Sequence, residues 1–141
     1  MTLTRPMTET RHSTLKRTVL GLAALALLAN ALYMLADPLG WYGAVEGVPD
    51  TGPFNPHFVR DIGISYFSIA LMTAAGAVWL RAAFPLLAAV TLYLGLHALL
   101  HLWDVAAGRL DVHHLVIDAP GVFLPAIVAA LLTYWLRAEY A

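Results

Sequence analysis

The sequence predicts an all-α protein, a bundle of four transmembrane helices with both termini in the cytoplasm. Three observations carry that prediction. The 141-residue chain is 60% hydrophobic and only 12% charged, with a mean hydropathy of +0.72. Soluble domains average about 45–50% apolar and about 25% charged residues, so this chain lacks the charge to cover a water-facing surface. Four apolar stretches each supply the roughly 20 helical residues that a bilayer core requires, and none alternates with the period of two of a barrel strand. Finally, the basic residues are sorted. Arg5, Arg11, Lys16, Arg17, Arg81 and Arg137 fall on one side of the spans and only Arg60 and Arg109 on the other. The excess of positive charge marks the cytoplasmic side.

The composition also removes several classes. Intrinsic disorder is incompatible with so much apolar surface. A net charge of −1 without a basic stripe argues against nucleic acid as a partner. Zero cysteines exclude a disulfide scaffold, a thiolate zinc site, an iron–sulfur cluster and a cysteine nucleophile. The partner that remains is the lipid bilayer, with Gly- and Ala-rich helix faces suited to a homo-oligomer or to another membrane protein. The location implied is a bacterial inner membrane, crossed several times.

Taken in order, residues 1–14 read as a polar, disordered cytoplasmic tail and 15–141 as the transmembrane domain. Helices are expected at about 17–36, 56–80, 84–107 and 113–137. The first follows Lys16 and Arg17. Its Ala29-Asn30-Ala31 also satisfies a small-x-small cleavage rule, so a signal peptide is an alternative. Residues 37–55, with four prolines and glycines in the stretch 47–53, form an outer-side loop. Asn55-Pro56 reads as an N-cap with proline at the first helical position, opening the second helix. Arg81-Ala82-Ala83 makes a tight turn before Pro85, which opens the third. Asp118-Ala119-Pro120 is a candidate cap for the fourth, and Pro125 a candidate kink within it. Trp79 and Trp135 then mark the inner interface, and Trp41 and Trp103 the outer one.

This topology puts most acids and histidines on the outer side: Asp37, Glu46, Asp50, Asp61, Asp104, Asp111 and Asp118, with His57, His97, His101, His113 and His114. Three pairings recur at one-turn spacing. His97, His101 and Asp104 share a face of the third helix; His57 and Asp61 share one of the second; His114 and Asp118 share one of the fourth if that segment is helical. Counting about 1.5 Å per residue from the inner belt puts Asp61, His101 and Asp118 at a common level of about 24–27 Å. His57, Asp104 and His114 form a shallower layer at about 28–33 Å, and His97 lies deeper at about 18 Å.

Ionisable groups at membrane depth are expensive and are normally paired, hydrated or functional. Imidazole with carboxylate is the ligand mixture of zinc, iron(II), manganese or copper(II). The prediction is therefore a transition-metal site held by His57, Asp61, His97, His101, Asp104, His114 and Asp118, or a subset of them. A non-ligating carboxylate, Asp61 or Asp118, would be the catalytic base of a metal-dependent hydrolase or oxidoreductase acting on a lipid-soluble or periplasmic substrate. Two other readings stay open. His101 with His57 or His114 would ligate haem b in an electron-transfer subunit that could also take a quinone. Alternatively the chain is a non-catalytic accessory bundle whose polar mouth meets a partner. Bland roles compete at each residue: Asp118 as a helix cap, Asp61 paired to Arg60 or Arg109, His57, His113 and His114 as wetted interfacial groups, and Arg109 and Asp111 as turn residues.

The stretch Asn55-Pro56-His57-Phe58-Val59-Arg60-Asp61-Ile62-Gly63, with the later His97-Ala98-Leu99-Leu100-His101-Leu102-Trp103-Asp104, resembles small four-helix bacterial membrane proteins of uncharacterised, DoxX-like type. The resemblance covers the second to fourth helices. It implies a four-helix fold in a bacterial inner membrane, and neither substrate nor catalytic residues.

Overall fold

The computed structural model describes residues 13–140. Residues 1–12, where the polar tail was expected, lie outside the described residues, as do Arg5, Arg11 and His12; Ser13 and Thr14 already belong to the first helix. The elements are α1 (Ser13–Ala36), α2 (Pro38–Ala44), a 3-10 turn (Val48–Thr51), α3 (Pro56–Val78), α4 (Leu80–Ala106), α5 (His114–Ile117), a π-turn (Ala119–Phe123) and α6 (Leu124–Tyr140). Every described element is helical, and four segments are long and apolar enough to cross a membrane: Ser13–Ala36, Pro56–Val78, Leu80–Ala106 and Ala119–Arg137. The chain is a multi-pass helical bundle.

Packing follows chain order: α1 on α3, α3 on α4, α4 on α6. Small residues set the spacing. A Cβ on Gly63 would stand 3.0 Å from Met34 Cβ, so the missing side chain is what lets α1 approach α3. Gly76 does the same where α3 meets α4, against Leu87 and Ala83. Thr91 and Thr133 join α4 to α6 through their hydroxyls at 2.8 Å. The core cluster (Leu20, Met34, Ile69, Leu87, Val90, Leu94, Leu136 and others) is apolar, while Lys16, Thr73, His114 and Asp118 are the buried polar residues among those described.

The two ends differ. At the basic end, Arg17 donates from Nη1 to the carbonyls of Ala77 (2.7 Å) and Val78 (2.6 Å), occupying acceptors that the end of α3 would otherwise leave without partners. The buried Lys16 ammonium sits 5.2 Å from the ring centre of Trp135, tying the start of α1 to the end of α6. At the acidic end, residues 37–55 contain α2 and the 3-10 turn and are held by side-chain bonds. Asp37 accepts from Gly40 N at 2.9 Å and caps α2. Trp41 Nε1 donates to Asn30 Oδ1 at 2.9 Å, and the Tyr42 hydroxyl donates to Gly52 O at 2.7 Å. These bonds fold the segment over the bundle as a roof.

Two expected helix starts change and one holds. The turn between the second and third spans is a single residue, Trp79, so α4 begins at Leu80 and Pro85 lies inside it rather than at its start. Asn55 caps α3 as expected, accepting from His57 N and Phe58 N. Asp118 does not cap the last helix with its side chain. Pro120 and Pro125 each withdraw a backbone donor, and the chain between them widens into a π-turn, with Val122 N and Phe123 N both donating to Asp118 O. The last span is thus α5, the π-turn and α6 in place of one helix from 113. The change has a consequence for chemistry, because it frees the Asp118 carboxylate.

Candidate functional site

That carboxylate accepts a hydrogen bond of 2.8 Å, Asp118 Oδ2 to His101 Nδ1, across from α4. Both side chains are largely shielded, at 10% and 17% exposure. The same oxygen lies 4.0 Å from Nδ1 of His114, one turn earlier. His114 is buried, and its Nδ1 has no hydrogen-bond partner among the described residues. Its Nε2 lies 3.3 Å from Oδ2 of Asp50, which is 65% exposed on the roof. The roof reaches this close only because of Gly47. Its φ of +82° is a left-handed conformation, and a Cβ there would stand 2.9 Å from Ile117 Cγ2 and 3.2 Å from His114 Cε1.

His97 lies one turn deeper than His101 on α4, with ring centres 4.8 Å apart. It also meets the edge or face of two tyrosines, Tyr66 at 6.2 Å and Tyr93 at 6.4 Å. This is an aromatic environment rather than a ring of ligands.

His101, Asp118 and His97 line a cavity of about 890 Å³ that runs down into the bundle. Its deeper wall is apolar: Leu87, Val90, Leu94, Ala129 and Leu132, with Thr73 the polar exception. The roof residues Trp41, Gly47 and Val48 close over it at the acidic end. Both α1 (Ala26, Leu27) and α6 (Pro125, Val128) line it. The volume lies in the range of about 300–1,000 Å³ typical of small-molecule sites.

The seven predicted ligands do not converge. His57 and Asp61 pair with each other at 3.3 Å, both largely exposed on α3, apart from the cavity. Asp104 leaves the His97/His101 set and binds Arg109 Nη1 at 2.8 Å. His114 and His101 share Asp118. No group of three or more His, Asp or Glu among the described residues is placed to hold a metal ion. His101 and His114 both approach the Asp118 carboxylate through Nδ1, and His57 is paired with Asp61. Arg60 donates from Nε towards Leu35 O at 3.5 Å, so it is not the partner of Asp61. Asp111 accepts from His113 N at 2.8 Å, the turn role expected of it.

Asp50 is the site residue that sequence spacing missed. It shares no helix with its partner and sits in a segment without periodicity. The one available signal was Gly47 ahead of it, in a glycine- and proline-rich stretch able to bring backbone close to another element. Set against family models, curated proteins and solved structures, the chain matches none.

Proposed function

We propose that the chain is a membrane protein that binds a lipid-soluble molecule with an oxygen-bearing polar head, its apolar tail lying in the bundle and its head held by His101. The observation that carries this reading is the 2.8 Å His101–Asp118 pair in the wall of a cavity whose deeper part is mainly apolar. With Nδ1 of His101 occupied by Asp118, Nε2 is the ring atom left to a ligand. A carboxylate behind an imidazole fixes the ring's tautomer and orientation, so the pair serves as a placed hydrogen-bonding group and as an acid or base. Burial of tail atoms supplies affinity, and a few placed polar groups supply orientation. Orientation follows the charge bias, with the basic end cytoplasmic and the roof outside, in a bacterial inner membrane.

A quinone headgroup meets these requirements, and decylubiquinone is a practical probe. Trp41 lines the cavity, so bound quinone should quench its fluorescence saturably in purified wild-type protein and not in Trp41→Phe. His101→Ala and Asp118→Asn should each weaken binding roughly tenfold, about 1.4 kcal/mol. Quenching that never saturates, or variants that bind as wild type does, would overturn the reading. Elemental analysis of the same sample covers the other possibility. One equivalent of zinc, iron or copper, lost in His101→Ala, would replace the ligand pocket with a metal site.

A further inference from the structure

The hydrogen-bonding groups at the roof form a line: Asp50, His114, Asp118, His101. We propose that this line is a proton path between the water at the acidic end and the cavity. It alternates carboxylate and imidazole. It starts at a carboxylate that is 65% exposed, passes through a ring that is 6% exposed, and ends at a residue lining the cavity. The separations along it are 3.3, 4.0 and 2.8 Å.

Imidazole suits the buried position because it takes a proton on one nitrogen and releases one from the other. With Asp118 accepting from His101 Nδ1–H and His114 turning Nε2–H to the Asp50 carboxylate, the first pass runs outward. A proton from the cavity enters at His101 Nε2, the Nδ1 proton passes to Asp118 Oδ2, Asp118 gives it to His114 Nδ1, and His114 releases its Nε2 proton to Asp50. Each group gains one proton and loses one. The pass leaves His101 with its proton on Nε2 and His114 with its proton on Nδ1, and from those tautomers the reverse order carries a proton in. The 4.0 Å step is the gate. It must shorten by roughly 1 Å to reach hydrogen-bond length, which a small rotation of the Asp118 carboxylate accomplishes. The unpartnered Nδ1 of His114 supports this assignment. A buried polar atom without a bond costs free energy, and here it is left aimed at the shared carboxylate. A purely structural strut between roof and bundle needs only Nε2.

His57–Asp61 and Asp104–Arg109 stand outside the line, each closed on itself. The deeper cavity wall is apolar, so the path ends at the site and does not cross the membrane.

The path goes beyond the ligand reading and is tested without a ligand. In protein labelled with ¹⁵N-histidine and ¹⁵N-tryptophan, the exchange of the His101 Nδ1–H with water is compared with that of the Trp41 Nε1–H. The Trp41 indole lines the same cavity and is bonded only to Asn30. In Asp50→Asn and in His114→Gln, exchange at His101 should slow by roughly tenfold or more while Trp41 is unchanged. Both side chains still form hydrogen bonds, but neither passes a proton on. Unchanged exchange at His101 would overturn the path. So would a parallel slowing at both positions, which would mean that the substitutions only tighten the roof. Failure of quinone to bind would sink the ligand reading and leave these outcomes as they stand.

Discussion

At the scale of single residues, depth in the membrane was informative for the histidines and partner choice was not. His97 and His101 stood out because an idle imidazole there is costly, and both do line the cavity; Asp61, counted to the same level as His101, does not. One-turn spacing, by contrast, tells which residues share a helix face and not where that face points. His57–Asp61 has the spacing and faces away from the cavity; Asp104 has it and is taken by Arg109 from the following turn. Asp50–His114 has no spacing at all, since the contact depends on a left-handed glycine three residues before Asp50. That glycine gives a sharp test. Gly47→Ala should cost about 1–3 kcal/mol, from the left-handed backbone and from displacing Ile117 and the His114 ring. The unfolding midpoint in detergent should fall accordingly, and Trp41 Nε1–H exchange should accelerate as the roof loosens. Gly43→Ala, in helical α2 with nothing within 4 Å of its Cβ, should leave both unchanged or slightly improved. Equal behaviour of the two variants would show that the roof does not depend on the close approach at residue 47.

At the scale of elements, the four spans were legible because length and hydropathy alone define them, and the Asn55 cap was legible because its chemistry is local. The starts of α4 and of the last helix were not. Proline was read as a first-turn marker in both places, yet α4 runs back to Leu80 through Pro85, and Pro120 is absorbed in a π-turn. Proline removes a donor wherever it sits, and neighbouring packing decides whether the chain stops or widens there. Small residues matter in the opposite way, by what they admit. A side chain at residue 63 must displace Met34 Cβ at 3.0 Å and Leu35 Cγ at 3.2 Å, both on α1. Gly63→Val should therefore push α1 from α3 and lower stability by about 1–3 kcal/mol, read as a lowered unfolding midpoint in mixed micelles. Gly21→Val, on α1 with no atom within 4 Å, is the matched control and should shift the midpoint by no more than about 0.5 kcal/mol.

At the scale of the whole molecule, charge is distributed by end, and that distribution makes the last prediction. The basic end is built around its cations. Lys16 lies over Trp135, Arg17 binds the last carbonyls of α3, and the Arg137 guanidinium stacks over the Tyr134 ring at 5.3 Å. The acidic end carries the Asp50–His114 and His101–Asp118 pairs under the roof. A chain inserted the other way would have to translocate Lys16, Arg17, Arg81 and Arg137, each costly to move through the hydrocarbon, while retaining only Arg60 and Arg109. The basic end should therefore be cytoplasmic. The sequence contains no cysteine, so single introduced thiols report without background. Thr51→Cys, exposed on the roof, should react with a membrane-impermeant maleimide in intact spheroplasts. Arg81→Cys, exposed at the opposite end, should react only after the membrane is opened. Arg81 is itself part of the bias, so Ala82→Cys, which keeps every charge, must give the same result. The reverse pattern would place the His101–Asp118 cavity mouth on the cytoplasmic side, and the proton path would then draw on cytoplasmic water.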